Sequence, residues 1–319
     1  MIKSICILFF VPMLAFSQST LDNYKIVSQQ FMDFYNNATY DSIFYMYNDE
    51  MKKAISQEQS AGFFKSIALQ FEELKNINII DANKNTHVYR ATFKNGVLDF
   101  VLSLDGENLI RGFQLKPYKP DGLPKLERNS TKMILPFKEE WFVFWGGETS
   151  EQNYHMNNEN QRYAYDMLMV KDSSSFKKEG KKNTDYFVFG KKIIAPCNAK
   201  VVKVIKGVKD NIPGELNPKQ LTGNTIVLET KKKEYILFAH LKQGSIKVKE
   251  GEFVKQGQTI AKCGNSGNST EPHLHLQLQN VADFFQATGA KLYFDKILVN
   301  DKIKTDYIPV KEDFVKNIK

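Results

Sequence analysis

A chain of 319 residues with a 42% hydrophobic share has room for two modest domains, each able to bury its own core, and its composition is that of an ordinary soluble protein. Its 44 basic and 36 acidic residues give a net charge of +8, which serves solubility or holds the protein near anionic polymers. The basic residues are spread through loops such as Lys231-Lys232-Lys233 without interleaved aromatics, which argues against a nucleic-acid groove.

In chain order, residues 1–17 come first. Lys3 gives a positive start, Ile5 to Phe16 is almost wholly apolar, and Ala15 and Ser17 are small residues where a signal peptidase cuts. This pattern predicts a secretory signal with Gln18 as the mature start. Pro12 and the lack of a polar face argue against a buried helix instead. The run is too short for a lasting membrane span, and no later segment reaches the roughly 18 apolar residues that one requires. The mature chain is therefore expected to be exported, to the periplasm or beyond the cell, with no stable span. Loss of Lys3 takes the 44 basic residues to 43 against 36 acidic ones, a net +7. Cys6 sits too early for a lipoprotein anchor. Cys197 and Cys263 remain and could pair in an oxidising compartment; neither lies in a CxxC pattern, so thiolate ligation of a metal is not expected.

From Leu21 to about Leu74 apolar residues recur at helical spacing, as in Val27, Phe31 and Tyr35, then Phe63, Ile67 and Phe71. Three helices are expected, with Asp41 and Ser56 as N-caps. Strands follow at 76–80, 87–93, 97–104 and 109–116, separated by the turn signals Lys94-Asn95-Gly96 and Asp105-Gly106-Glu107. His87 lies in a strand far from other ligand types and reads as structural. Helices followed by a small antiparallel sheet resemble the cystatin-like or nuclear-transport-factor-like modules that precede many exported enzymes. The expected organisation is an α+β accessory domain over 18–116, a Pro- and Gly-containing linker over 117–130, and a mainly-β domain, an antiparallel sheet, over 131–319.

The β-rich half is read as strands at 132–137, 141–145, 193–205, 225–229, 235–240 and 259–262, followed by His273-Leu274-His275-Leu276-Gln277-Leu278-Gln279. Alternate side chains of a strand share a face. The last segment thus sends His273, His275, Gln277 and Gln279 one way and its three leucines the other. Two imidazoles on a rigid strand, behind the glycine-bounded loop Gly264-Asn265-Ser266-Gly267, suit a catalytic metal site. His155, Asp166 and His240 lie in the same half, so four histidines and one aspartate exceed the three ligands a hydrolytic zinc site needs. Trp141, Phe142, Phe144, Trp145 and Tyr154 belong either to a substrate groove or, more often at strand spacing, to a core.

These residues resemble the lysostaphin/LytM-type zinc metalloendopeptidases, which cut peptidoglycan peptides. The matching segments are His155 with Asp166, Ile194-Ala195-Pro196, Gly223-Asn224-Thr225-Ile226-Val227, Phe238-Ala239-His240-Leu241, Val248 to Ile260, and Gly264 to His275, covering about residues 150–280. The resemblance implies one zinc ion held by His155, Asp166 and His275, with His240 and His273 catalytic and Asn224 at the edge of the site. Where the family's opening pair usually has three intervening residues, this chain has ten, with Met156 to Asn160 read as a loop and Arg162 to Met169 as the strand carrying Asp166. No HExxH segment exists, so the proton is expected to pass through an imidazole. The implied function is a zinc endopeptidase acting on peptidoglycan peptides. The alternatives are a degenerate wall-binding or hydrolase-activating relative, a protease acting on protein, and a lipoyl-type carrier suggested by Val248 to Gln258. The first generally lacks ligands that this chain keeps, and a carrier has no need of His273 and His275.

Overall fold

The computed structural model describes residues 15–83 and 85–318, so the predicted signal segment falls mostly outside the described residues. The chain divides into two compact units, Met1–Tyr118 and Lys119–Lys319.

In the first unit, helices α1 (Ala15–Asn36), α2 (Tyr40–Tyr45), α3 (Asp49–Ala54) and α4 (Gln57–Phe71) precede strands β1 (Leu74–Asn83), β2 (Thr86–Phe93), β3 (Gly96–Leu104) and β4 (Ile110–Pro117). The strands form an antiparallel meander in chain order. Four helices replace the expected three. The chain breaks at Tyr47, which bridges to Ile110, and Asn48 then starts a new helix by accepting from Met51 N. Ser56 caps α4 as expected, in a reciprocal box with Gln59, but Asp41 does not cap. It lies inside the first turn of α2, whose N-cap is Thr39. Burial alternates along β2 and β3, so Tyr89, Ala91, Phe93, Leu98, Phe100 and Leu102 face one core. Phe31 of α1 meets Phe100 at 4.6 Å and Phe64 of α4 at 5.4 Å between ring centroids. His87 belongs to this core, stacked 3.6 Å from the Tyr24 ring.

The second unit is mainly antiparallel β. Its strands are β5 (Trp141–Trp145), β6 (Tyr165–Leu168), β7 (Lys192–Ile194), β8 (Ala199–Ile205), β9 (Asn224–Glu229), β10 (Tyr235–Leu241), β11 (Phe253–Val254), β12 (Thr259–Lys262), β13 (Leu274–Gln279), β14 (Gly289–Ala290), β15 (Phe294–Val299), β16 (Lys302–Tyr307) and β17 (Phe314–Asn317). The large sheet runs β11-β8-β9-β10-β13-β6-β5-β17-β15-β16, with β14 added beside β13, and β7 pairs β12 in a small second sheet. Two expected strands differ. Residues 132–137 bury Met133, Leu135 and Phe137 but form no ladder, because the Asn317 side chain takes the backbone groups of Leu135 and the carbonyl of Phe137. The single strand expected over 193–205 is broken around Pro196, which has no amide hydrogen, into β7 and β8 in different sheets.

The centre of the sheet positions the site. Along β13, Leu274, Leu276 and Leu278 enter the main core with Ile226, Leu228, Ile236 and Phe238. On the opposite face, Val227, Leu237, Ala239 and Phe284 form a smaller cluster. That second face also receives His275, Gln277 and Gln279, all buried. Apolar packing on both sides thus makes the strand under the histidines a fixed platform.

Candidate metal centre

Across the antiparallel β13–β6 ladder His275 lies directly opposite Asp166, and across β13–β10 it lies opposite Ala239, one residue before His240. Register alone therefore gathers three of the five expected site residues. His155 arrives by another route. The ten residues between it and Asp166 do not form one open loop but two tight 3₁₀ turns, Tyr154–Asn157 and Glu159–Gln161, which fold His155 back over the sheet. His155, Asp166 and His275 are all buried, with ligand atoms within 4.8 Å of one another.

The proton positions follow from partners that can only accept. Asn153 Nδ2 donates to the carbonyls of Ala164 (2.8 Å) and Gly147 (3.4 Å), so its Oδ1 is fixed as an acceptor. His155 Nδ1 must then donate to that Oδ1, at 2.8 Å. Burial, against the opposing pull of Asp166, pushes the His155 pKa down to about 4, so at neutral pH the ring carries one proton and Nε2 holds a lone pair. Among the described residues Nε2 has no hydrogen-bond partner, yet it stands 3.5 Å from Asp166 Oδ2. A lone pair and a carboxylate oxygen facing each other in a buried site repel unless a cation lies between them.

Asp166 itself is held well below the usual carboxylate range: burial opposes its charge, but His155, His273 and His275 together outweigh that cost. His275 Nδ1 lies 2.9 Å from Asp166 Oδ1. Burial disfavours the charged ring here too, and the hydrogen bond and charge of Asp166 more than offset it, so without a metal the His275 pKa is raised. The donor set of two imidazoles and one carboxylate, buried and converging within 4.8 Å, fits zinc with an open position.

His240 and His273 occupy the other side of the cleft, with ring centroids 4.8 Å apart. His240 Nδ1 donates to the Ser266 carbonyl at 2.8 Å, and His273 Nδ1 to the Glu271 carbonyl at 2.8 Å. A carbonyl cannot donate, so in the neutral ring of each the unprotonated nitrogen is Nε2; that of His273 is 3.6 Å from Asp166 Oδ1. Burial lowers the His240 pKa well below its ordinary value, with His273 and His275 adding to the effect. His240 also adopts φ +57°, at an irregularity in the β10–β9 register. Such left-handed geometry costs a non-glycine residue about 1–2 kcal/mol, and the bulge turns the ring into the cleft.

The glycine-bounded loop supports this bend. A Cβ on Gly223, which has φ +61°, would stand 2.3 Å from the Ser266 carbonyl oxygen, so only glycine lets the two backbones meet there. Asn224 is buried beneath the site, donating to the carbonyls of Leu241 and Val208. It braces the end of β10 and does not line the cleft.

The cleft measures about 370 Å³ and includes Phe144, Trp145, Tyr154, His240, His273 and His275 in its lining. The five candidate aromatics therefore divide. Trp141 is core, stacked 4.4 Å from Phe137, and Phe142 packs against that core, whereas Phe144, Trp145 and Tyr154 face the cleft. Burial and the neighbouring Asp166 raise the Tyr154 phenol, which stays protonated at neutral pH. Cys197 and Cys263 are free and buried, so the pairing considered from the sequence does not occur. Sequence reasoning did not single out Ser266 and Asn153 as supports of the histidines; their signal is a carbonyl or amide contact made only in the folded chain.

Residues 28–113 match a family described as protein of unknown function (DUF3887), and the cystatin-like likeness finds no counterpart among the family matches. Among solved structures, the chain is similar to the catalytic domain of the antimicrobial peptidase lysostaphin from Staphylococcus simulans, at 23% identity over 48% of this chain and 88% of that one, TM-score 0.28. It is similar to the catalytic domain of a variant of a prophage-encoded M23 protein from Enterococcus faecalis, at 19% identity over 39% of this chain and 92% of that one, TM-score 0.25. A zinc-containing peptidase from Vibrio cholerae matches at 15% identity over 72% of this chain and 91% of that one, TM-score 0.27. Residues 179–287 match Peptidase family M23, a span that includes His240, His273 and His275 and begins after His155 and Asp166. The chain therefore carries, in its second unit, a domain of the zinc-dependent Peptidase family M23.

Proposed function

We propose that this protein is an exported zinc endopeptidase that hydrolyses peptide bonds of bacterial peptidoglycan, with His155, Asp166 and His275 holding the metal and His240 and His273 handling protons. The observation that carries the reading is the convergence of His155 Nε2 and Asp166 Oδ2, two buried acceptors 3.5 Å apart, beside a cleft that two further imidazoles enter. Bound zinc supplies a Lewis acid that polarises the scissile carbonyl and lowers the pKa of a water in its open position from 15.7 toward about 7.

The chain's own residues do the rest. With Nδ1 tied to a backbone carbonyl, each of His240 and His273 presents Nε2 to the cleft, so one ring accepts the proton of the attacking water while the pair shares delivery to the leaving amine. Phe144, Trp145 and Tyr154 present an aromatic wall to an extended peptide. The net positive charge favours residence near an anionic wall. Export rests on the signal pattern of residues 1–17; among the described residues no helix is long and apolar enough to cross a membrane. A zymogram on purified wall compares wild type, His275→Ala and metal-stripped protein. Clearing by wild type alone, restored to the stripped protein by zinc, is the expected result; clearing that survives both treatments removes the zinc mechanism.

A further inference from the structure

Beyond the cleft, the polar face of β13 continues into the protein as a file of buried amides. Gln279 Nε2 donates to the carbonyls of Val281 (2.7 Å) and Ala282 (3.3 Å), which leaves its Oε1 as an acceptor. Gln277 Nε2 donates to that Oε1 at 2.6 Å and to the backbone carbonyl of Asn160 at 2.9 Å, so Gln277 Oε1 is an acceptor in turn. His275 Nε2 sits 3.0 Å from Gln277 Oε1 and has to donate to it. Reversing either amide would set oxygen against carbonyl oxygen in a fully buried place, at a cost of about 1–3 kcal/mol for each unmade hydrogen bond. Both glutamines are 0% exposed.

We propose that Gln277, oriented by Gln279, is the positioning residue of the metal centre: it holds the His275 proton on Nε2, leaves the Nδ1 lone pair for the metal beside Asp166, and ties the 153–166 excursion to the same strand through Asn160. This rests on the metal reading above and deepens it. Asparagine or leucine here would fill space without reaching the ring. Only a side chain that accepts at one end and donates at the other joins His275, Asn160 and Gln279 at once. The bond to Asn160 matters because that residue lies in the second 3₁₀ turn, between His155 and Asp166, so a single amide links the two routes by which the ligands arrive. Partners of this kind around metal-bound histidines fix the tautomer and change metal affinity about 10–100-fold.

The test uses the full chain, stripped of metal and titrated with zinc against a chromophoric chelator. Gln277→Leu is expected to weaken zinc binding about 10–100-fold. Gln277→Glu keeps an acceptor for His275 Nε2 but sets its second oxygen against the Asn160 carbonyl and Gln279 Oε1, so it is expected to bind zinc more weakly than wild type as well. NMR of the zinc-loaded wild type adds a readout of the proton itself: a protected, hydrogen-bonded His275 Nε2–H resonance is expected, and it decides the matter if Gln277→Leu does not fold. Affinity within about twofold of wild type in Gln277→Leu or Gln277→Glu, or absence of that resonance, overturns the proposal. His155→Ala separates the two readings: if it binds zinc as tightly as wild type, the metal assignment fails, whereas its loss of zinc together with unchanged affinity in Gln277→Leu defeats the positioning role alone.

Discussion

His87 in the first unit and His155 in the second are both buried histidines, and they serve opposite ends. His87 stacks on Tyr24, and Tyr89 Oη lies 3.4 Å from its Nδ1; the ring packs as an aromatic core residue. His155 also has one nitrogen satisfied, by Asn153, but its other nitrogen faces a carboxylate oxygen with no proton between them. Burial by itself therefore says little about function. What separates a site from a core is a buried, converging set of acceptors that a cation can bridge.

The sharpest way to break this contrast is by substitution. His240→Ala and His273→Ala are each expected to lower kcat/KM about 10²–10⁴-fold while zinc content stays at one ion per chain, whereas His87→Phe leaves kcat/KM unchanged. A large loss in a folded His87→Phe protein would erase the distinction. Next in size, Gly223→Ala forces a methyl group against the Ser266 carbonyl that holds His240 and is expected to destabilise the second unit by about 1–3 kcal/mol. A denaturant midpoint equal to that of wild type would show that the loop gives way freely.

A smaller effect is a pH slope. The folded pKa of His155 is about 4, below its ordinary 6.5, and that of His240 is lowered as well, so at intermediate pH the unfolded chain binds more protons than the folded one. Stability of the metal-free protein therefore falls as pH drops from about 6.5 toward about 4. His87 is also lowered by burial and adds the same sign in its own unit. His275, whose pKa is raised, acts oppositely, but mostly above its ordinary value, where its stabilisation is lost as pH rises through the folded pKa. Urea midpoints at about pH 6 and 5 check the sign; a midpoint that rises on acidification contradicts it. The smallest effect concerns the thiols. Burial pushes Cys197 up to about 12 and Cys263 well above its ordinary range, so neither is expected to react with iodoacetamide in the native protein at neutral pH, and both are expected to react once it is unfolded. Mass spectrometry of the native and unfolded adducts measures this directly.

Much of the candidate site was legible in the sequence because its signals are local. The alternation of His273, His275, Gln277 and Gln279 with three leucines is a property of any strand, and the leucines do pack into the main core while the polar side chains share the other face. Ser56 capped its helix because a cap needs only its own first turn. Local rules failed where distant groups intervened. The strand expected at 132–137 lost its ladder to Asn317, far along the chain, and the strand through Pro196 divided between two sheets.

What the amino-acid order determined by itself is the set of chemical types and the face each one shares. Tertiary structure alone decided which of them meet. Nothing in the ten residues between His155 and Asp166 states that two 3₁₀ turns will bring the imidazole back to 3.5 Å from the carboxylate. Nor does the Gln277 codicil to the double-histidine motif announce that its amide will reach Asn160. Proton positions on the four site histidines depend on carbonyls and amides from other segments, because an imidazole has two nearly equivalent tautomers and only its surroundings choose between them.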